Sequence, residues 1–141
     1  MNNDTLNFHY DVDGDNFTSA GQASVRIKKN LRQLGVDPET IRRVSIAMYE
    51  GEINMVIHAN GGDADVEVDD SGVTIVLADS GPGIADIDKA MEEGYSTARD
   101  EVRSLGFGAG MGLPNMKRYT DEMKIESEVG KGTTVTMRVN F

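Results

Sequence analysis

A carboxylate and two glycines stand together in the stretch Asp79-Ser80-Gly81-Pro82-Gly83-Ile84. It follows residues 73–78, whose alternating apolar side chains predict a strand with one buried face. Asp79 is therefore expected at a strand end, where two glycines let the backbone approach a ligand without interference from Cβ atoms. An acidic acceptor in that place can take the exocyclic amino group of a flat ring. The alternative is a turn that only reverses the chain.

Three polar side chains recur at every fourth position of an otherwise apolar segment. Glu50, Asn54 and His58 are spaced i, i+4 and i+8, so a helix carries them on one face. An unpaired carboxylate or amide is costly to bury, so this row needs partners. It either lines a ligand site or faces solvent with no further role.

Glycine occupies every second position in Gly106-Phe107-Gly108-Ala109-Gly110-Met111-Gly112-Leu113. Such a run packs poorly and loses much backbone entropy when it becomes ordered. It predicts a flexible lid that closes its N–H groups over phosphates at the start of a helix spanning residues 113–120. The preceding residues 94–104 are charged and lack an apolar period, which predicts a mobile loop.

The elements that position these residues follow from periodicity and turn residues. A first strand is predicted over residues 6–12, and an amphipathic helix over residues 19–34. Asp37-Pro38-Glu39 predicts the start of the helix that carries the polar row. A hairpin then leads through residues 64–68 and the turn 69–72 into the strand that ends at Asp79. After a short helix at residues 87–93 and the lid come two strands, residues 123–127 and 134–139.

Composition limits the kinds of partner. The chain has 141 residues, a net charge of -10 and no cysteine, which predicts one domain with neither disulfides nor a thiolate metal site. The charge argues against nucleic acid and anionic membrane as partners. With neither a spanning segment nor a signal-peptide pattern, a cytoplasmic protein is expected. A nucleotide is not excluded, because phosphates can be bound locally by backbone N–H groups and magnesium.

The sequence lacks the motifs of several familiar nucleotide-binding and metal-binding sites. There is no G-x-x-x-x-G-K-[ST] motif, and the glycine run is neither G-x-G-x-x-G nor directly preceded by a predicted strand. The acidic residues do not have EF-hand spacing. His9 and His58 lie on separate predicted elements and do not form a convincing metal site.

The order of the motifs resembles the GHKL ATP-binding superfamily: a helix with Glu50 and Asn54, the Asp79 turn, the glycine run, and Gly132-Thr133-Thr134 at a late strand. The resemblance implies one histidine-kinase-like ATPase domain over residues 1–141. Its fold class is α/β (α+β), a two-layer sandwich with a mixed, mostly antiparallel sheet and helices on one face. It further implies that Asn54 coordinates Mg²⁺ on the phosphates of ATP and that Asp79 accepts the adenine amino group. The other implied nucleotide-binding residues are Gly81, Gly83 and Ile84 in the pocket, Gly106, Gly108, Gly110, Met111, Gly112 and Leu113 at the lid, and Thr133 near the adenine.

Within the superfamily the chain is most similar to the small serine/threonine kinases of bacterial partner-switching modules. The similarity rests on Glu50, on Glu92-Glu93-Gly94-Tyr95-Ser96-Thr97, and on Gly110-Met111-Gly112-Leu113-Pro114 followed by Met116-Lys117-Arg118. The charged segment 97–105 is longer than in that branch and bears on lid geometry. The resemblance implies an ATP- and Mg²⁺-dependent kinase for a small protein of the sulfate-transporter and anti-sigma-antagonist (STAS-like) type, with Glu50 as general base or orienting acceptor.

Two other functions stay open at this point. One is a nucleotide-dependent switch that sequesters a sigma factor or another regulator with little or no phosphotransfer, and the other is a detached ATPase subunit. Glu50 has a structural alternative as well, namely an ion pair with a basic residue such as Arg26. The sequence leaves open the identity of the partner and whether the chain forms a homodimer.

Overall fold

The structure, a computed structural model, describes residues 5–13, 21–59, 61–84, 86–87, 91 and 112–141, without the side chain of residue 58. In chain order the elements are β1 (Leu6–Asp13), α1 (Gln22–Gln33), α2 (Pro38–Ala59), β2 (Gly61–Val68), β3 (Gly72–Ala78), α3 (Gly112–Arg118), β4 (Glu122–Glu128) and β5 (Gly132–Asn140). Within these ranges, no helix is long and apolar enough to cross a bilayer.

The strands form one sheet in the order β1-β2-β3-β5-β4. All four strand pairs in the described part of the chain are antiparallel. The expected fold class is therefore confirmed, but the sheet described here is antiparallel rather than mixed. Two of the pairs, β2–β3 and β4–β5, are antiparallel because they are hairpins joined by short turns. After β3 the chain reaches the outer strand β4, and β5 then returns between β4 and β3.

One face of the sheet is apolar and packs against the helices. Tyr10, Ala64, Leu77 and Val135 are paired in register across β1, β2, β3 and β5, and all four are buried. The buried side chains that the helices add to this core are Ala23, Ile27 and Leu31 from α1, Ile41, Val44, Ala47, Met48, Met55 and Val56 from α2, and Leu113 and Met116 from α3. The intervening strand residues form a polar face. This alternation is the period-2 pattern that predicted the strands.

The start of α2 is confirmed as a capped helix N-terminus. The backbone N–H of Thr40 donates to Asp37 Oδ2 at 3.0 Å, and the Thr40 hydroxyl donates to Asp37 Oδ1 at 2.7 Å. These hydrogen bonds satisfy a backbone donor that the helix itself leaves unpaired. Because Asp37 fixes the first turn, the register of the polar row along α2 is fixed as well.

α1 differs from its prediction at its beginning. The helix starts at Gln22 rather than at residue 19, since Gly21 has a left-handed φ of 98° that no helix tolerates, and residues 14–20 lie outside the described part. Gly21 offers no side-chain cap, and the cap comes from α2 instead. Glu52, which is 2% exposed, accepts hydrogen bonds from the N–H groups of Gly21, Ala23 and Ser24 at 2.7–3.0 Å. A carboxylate at a helix N-terminus is favoured by the helix dipole.

α3 is shorter than the predicted span of residues 113–120. It begins at Gly112 and ends at Arg118, and the N–H of Thr120 then bonds to the carbonyl of Lys117. Arg43 of α2 donates to the carbonyl of Tyr119 at 3.2 Å and pairs with Asp121 at 3.1 Å. These contacts end the helix by turning the chain towards β4.

Of the short helix predicted at residues 87–93, only Ile87 and Met91 are described. The N–H of Met91 donates to the carbonyl of Ile87 at 3.0 Å, which is the spacing of one α-helical turn.

Candidate functional site

Asp79 lies immediately after β3 and its carboxylate is held from one side. Oδ1 accepts hydrogen bonds from the N–H groups of Gly81 at 2.9 Å and Thr133 at 3.2 Å. The Asp79 N–H in turn donates to the carbonyl of Thr133 at 2.9 Å. In the described part of the chain, Oδ2 makes no hydrogen bond. The turn therefore fixes the carboxylate and leaves one oxygen available as an acceptor.

The glycines of this turn are required by close packing. A Cβ atom on Gly81 would lie 2.5 Å from the Cβ of Ala59, at the end of α2. Gly83 has a φ of 80°, and a Cβ there would lie 2.4 Å from the carbonyl oxygen of Glu128. Both distances are shorter than real Cβ contacts. The two glycines thus bring Asp79 against α2 on one side and against the β4–β5 turn on the other.

Thr133 and Ile84 join the turn through Ser127. The Thr133 side chain is 9% exposed, and its hydroxyl shares a hydrogen bond of 2.8 Å with the hydroxyl of Ser127. The same Ser127 oxygen accepts the N–H of Ile84 at 2.7 Å. The structure therefore brings Asp79, Ile84 and Thr133 together, as the sequence-based hypothesis of one pocket requires.

Glu50 and Asn54 lie half-buried on α2, and both contact α3, Asn54 at its first residue and Glu50 at its middle. Asn54 lies against Gly112, where a Cβ atom would be 3.0 Å from its Oδ1. In the described residues the Asn54 amide makes no hydrogen bond. Glu50 Oε2 accepts a hydrogen bond of 2.9 Å from Asn115 Nδ2. The alternative ion pair with Arg26 is not formed: within the described residues Glu50 bonds to Asn115, and Arg26 is exposed on α1.

The two halves of the site lie along the same helix. The Asp79 turn touches α2 at Ala59, five residues after Asn54 and nine after Glu50. At 1.5 Å per residue, Asn54 is about 7.5 Å and Glu50 about 13.5 Å further along the helix axis. This separation suits an extended ligand with a flat ring at one end and charged groups at the other.

The structure describes only some of the remaining predicted site residues. Gly112 begins α3 and Leu113 is buried in the core beneath it. Gly106, Gly108, Gly110 and Met111 lie outside the described residues, as do residues 94–104 and the side chain of His58. The lid therefore stays a prediction.

Sequence reasoning missed two polar side chains that position this region. Glu52 had a usable signal, because it is four residues from Met48 and four from Val56, both of which are apolar and buried. A carboxylate in line with such residues predicts a buried acceptor. Asn115 offered no comparable signal, since its contact with Glu50 joins residues 65 positions apart.

The sequence profile described as a histidine kinase-like ATPase domain matches residues 16–139 of this chain. The chain belongs to the histidine kinase-like ATPase domain family. This confirms the resemblance to the GHKL superfamily, and the two relatives that follow confirm the resemblance to its partner-switching branch. Among curated relatives of this ATPase-family chain, an anti-sigma F factor of Clostridium acetobutylicum is 36% identical over 124 residues, which are 84% of this chain and 83% of the relative.

A second relative is the serine/threonine-protein kinase RsbT of Bacillus subtilis, which is 36% identical over 118 residues, or 80% of this chain and 83% of the relative. A crystal structure of the RsbU and RsbW domains of a Mycobacterium tuberculosis protein superposes with a TM-score of 0.64 and 18% identity. It covers 95% of this chain, while this chain spans only 32% of that longer one. At this identity the superposition shows the ATPase-family fold alone.

Proposed function

We propose that residues 1–141 form one ATP- and Mg²⁺-dependent serine/threonine kinase domain that phosphorylates a small STAS-like antagonist or scaffold protein in a cytoplasmic partner-switching module. One observation carries the proposal. Glu50 and Asn54, one helical turn apart on α2, both face α3, and each retains polar atoms without a protein partner in the described residues. The serine/threonine kinase among the relatives gives independent support.

The polar atoms that lack a partner within the described part of the chain fit the parts of a magnesium nucleotide. Asp79 Oδ2 is an acceptor for an amino group, and Asn54 Oδ1 is a hard oxygen ligand of the type that Mg²⁺ takes. In this arrangement Asp79, Gly81, Gly83, Ile84 and Thr133 hold the base. Asn54 and the glycine run from Gly106 to Leu113 hold the metal and the phosphates.

Bound Mg²⁺·ATP supplies the phosphoryl group and neutralises part of its charge. Glu50 Oε1 makes no hydrogen bond within the described residues, so it can accept the proton of a serine or threonine hydroxyl. As that proton moves to Glu50, the hydroxyl oxygen forms its bond to the γ-phosphorus and the bond to the ADP oxygen breaks. A carboxylate beside the phosphates does not favour ATP binding, but it orients an attacking hydroxyl.

Glu50→Gln tests this assignment, because it keeps the size and a carbonyl acceptor but removes the charge. We expect unchanged ADP affinity by calorimetry and phosphorylation slowed on the order of a hundredfold or more. Labelled phosphate is followed from γ-labelled ATP into proteins of the source cell, and mass spectrometry locates the modified residue. Wild-type labelling by Glu50→Gln would refute the base assignment.

A binding switch is the second candidate, and the anti-sigma F factors among the relatives favour it. In that case the chain forms an ATP-dependent complex with a sigma factor or another regulator and transfers little or no phosphate. The same experiment separates the two functions, since a switch retains a partner in the presence of ATP without labelling it. Gel filtration of both states also shows whether the chain is a homodimer.

A further inference from the structure

The contact between Asn115 and Glu50 belongs to a chain of three side chains on α3 and α2. Arg118 donates from a guanidinium nitrogen to Asn115 Oδ1 at 3.1 Å, and Asn115 Nδ2 donates to Glu50 Oε2 at 2.9 Å. The guanidinium and the carboxylate are therefore bridged by one amide. The bridge joins α3, which begins at the end of the glycine run, to α2, which carries the candidate base.

The chemistry of the two end groups fixes the orientation of the amide. An arginine side chain can only donate hydrogen bonds, and an ionised carboxylate can only accept them. The oxygen of Asn115 must therefore face Arg118 and its nitrogen must face Glu50. An asparagine amide can be placed in two orientations that differ by a 180° flip, and here only one of them satisfies both hydrogen bonds.

This orientation assigns separate roles to the two Glu50 oxygens. Oε2 is engaged by Asn115, while Oε1 makes no hydrogen bond in the described part of the chain. A carboxylate anchored by one oxygen loses rotational freedom and presents the other in a fixed direction. Fixing the attacking geometry is the part of catalysis that depends most steeply on small displacements.

We propose that Asn115 is a positioning residue that fixes the carboxylate of Glu50 for hydroxyl activation, with Arg118 holding the Asn115 amide in its donating orientation. The proposal rests on the kinase function proposed above. Asn115 acts through Glu50 and does not itself touch the reacting atoms.

Asn115→Leu removes the donor while it keeps the branching and the number of side-chain heavy atoms. We expect kcat for phosphorylation to fall on the order of tenfold to a hundredfold, with the KM for ATP and the ADP affinity unchanged. Arg118→Ala should lower kcat less, because the amide remains but is free to rotate. Lys117→Ala is the matched control on the same helix, and it should react at the wild-type rate.

A double variant distinguishes positioning from a general effect on the fold. If Asn115 acts only through Glu50, adding Asn115→Leu to Glu50→Gln should slow phosphorylation no further. The proposal would be overturned if the double variant phosphorylated more slowly than Glu50→Gln alone, or if Asn115→Leu alone reacted at the wild-type rate. An inactive wild-type protein would instead refute the proposed function.

A spectroscopic readout does not depend on activity. In the ligand-free protein, the side-chain amide signals of Asn115 should shift in Glu50→Gln, while those of Asn30, which lies on α1 and bonds to Tyr10 of β1, should not. Unshifted Asn115 signals would overturn the contact and with it the proposal.

Discussion

At the scale of single residues, Asp79 can be tested without disturbing its turn. Oδ1 accepts the two backbone hydrogen bonds of the turn, whereas Oδ2 is the oxygen proposed to face the adenine amino group. Asp79→Asn can keep both backbone bonds with its own Oδ1 and replaces Oδ2 by a donor. We expect ADP binding by calorimetry to be lost or greatly weakened, with the melting temperature nearly unchanged.

Asp79→Ala is the control for the turn itself. It removes Oδ1 as well, so we expect it to lower the melting temperature in addition to abolishing ADP binding. Unchanged ADP affinity in a folded Asp79→Asn protein would exclude Asp79 from the base pocket and leave it as a residue of the turn.

A second residue-scale prediction concerns His9 on the polar face of the sheet. The hydrogen bond to Asp65 at 2.7 Å, and then the one to Asp11 at 3.1 Å, raise the pKa of His9 above its usual 6.5. Asp63 lies 3.6 Å away on β2 and adds a third carboxylate. Because the pKa is raised on folding, protonated His9 stabilises the protein fully below pH 6.5, and this is lost as pH rises through the folded-state pKa.

His9→Gln measures that contribution. The difference in urea midpoint between wild type and variant should be largest below pH 6.5 and should shrink towards higher pH. A histidine titration by NMR gives the pKa directly. A difference in midpoint that does not change with pH would show that His9 contributes by packing rather than by charge.

At the scale of elements, the attachment of α1 to α2 depends on Glu52. This carboxylate accepts three backbone N–H groups and is 2% exposed. Glu52→Gln would place an amide donor against backbone donors, so we expect a loss of about 2 kcal/mol in the free energy of unfolding. Urea denaturation measures the loss, and faster amide exchange at Ala23 and Ser24 locates it.

Glu39→Gln is the comparison for that variant, since Glu39 is an exposed glutamate on the same helix, paired with Arg42 at 3.0 Å. It should change stability little, because exposed ion pairs contribute little. Equal losses in the two variants would mean that Glu52 is not the cap of α1.

The same elements show why some features could be predicted from sequence and others could not. The strands, the Asp37 cap and the Asp79 turn are encoded by neighbours within a few positions, so local pattern was sufficient. The cap of α1 joins residues 28–31 positions apart, and the Asn115–Glu50 contact spans 65. Such contacts depend on how α1 and α3 pack on α2. That packing also explains why the actual ends of α1 and α3 differ from the predicted ones.

At the scale of the whole molecule, those of the proposed nucleotide residues that the structure describes lie where α2, α3 and the β3 and β5 strand ends meet. Asp79, which follows β3, is hydrogen-bonded to Thr133 of β5, while Glu50 and Asn54 contact α3. The paired strands β1 and β2 turn their polar face, which carries His9 and its carboxylates, away from the helices. The proposed ligand site and the charged face of the sheet are thus separated on the molecule.

This separation leads to a prediction for hydrogen exchange across the chain. Adding Mg²⁺·ADP should slow amide exchange at residues 79–84, at residues 132–133 and at the end of α2, because ligand binding opposes local opening there. Exchange in β1 should not change. Replacing ADP by ATP should add protection at residues 94–112 only if the glycine run closes on the γ-phosphate. Equal protection by both nucleotides there would contradict that role of the lid, and protection confined to β1 and β2 would contradict the location of the whole site.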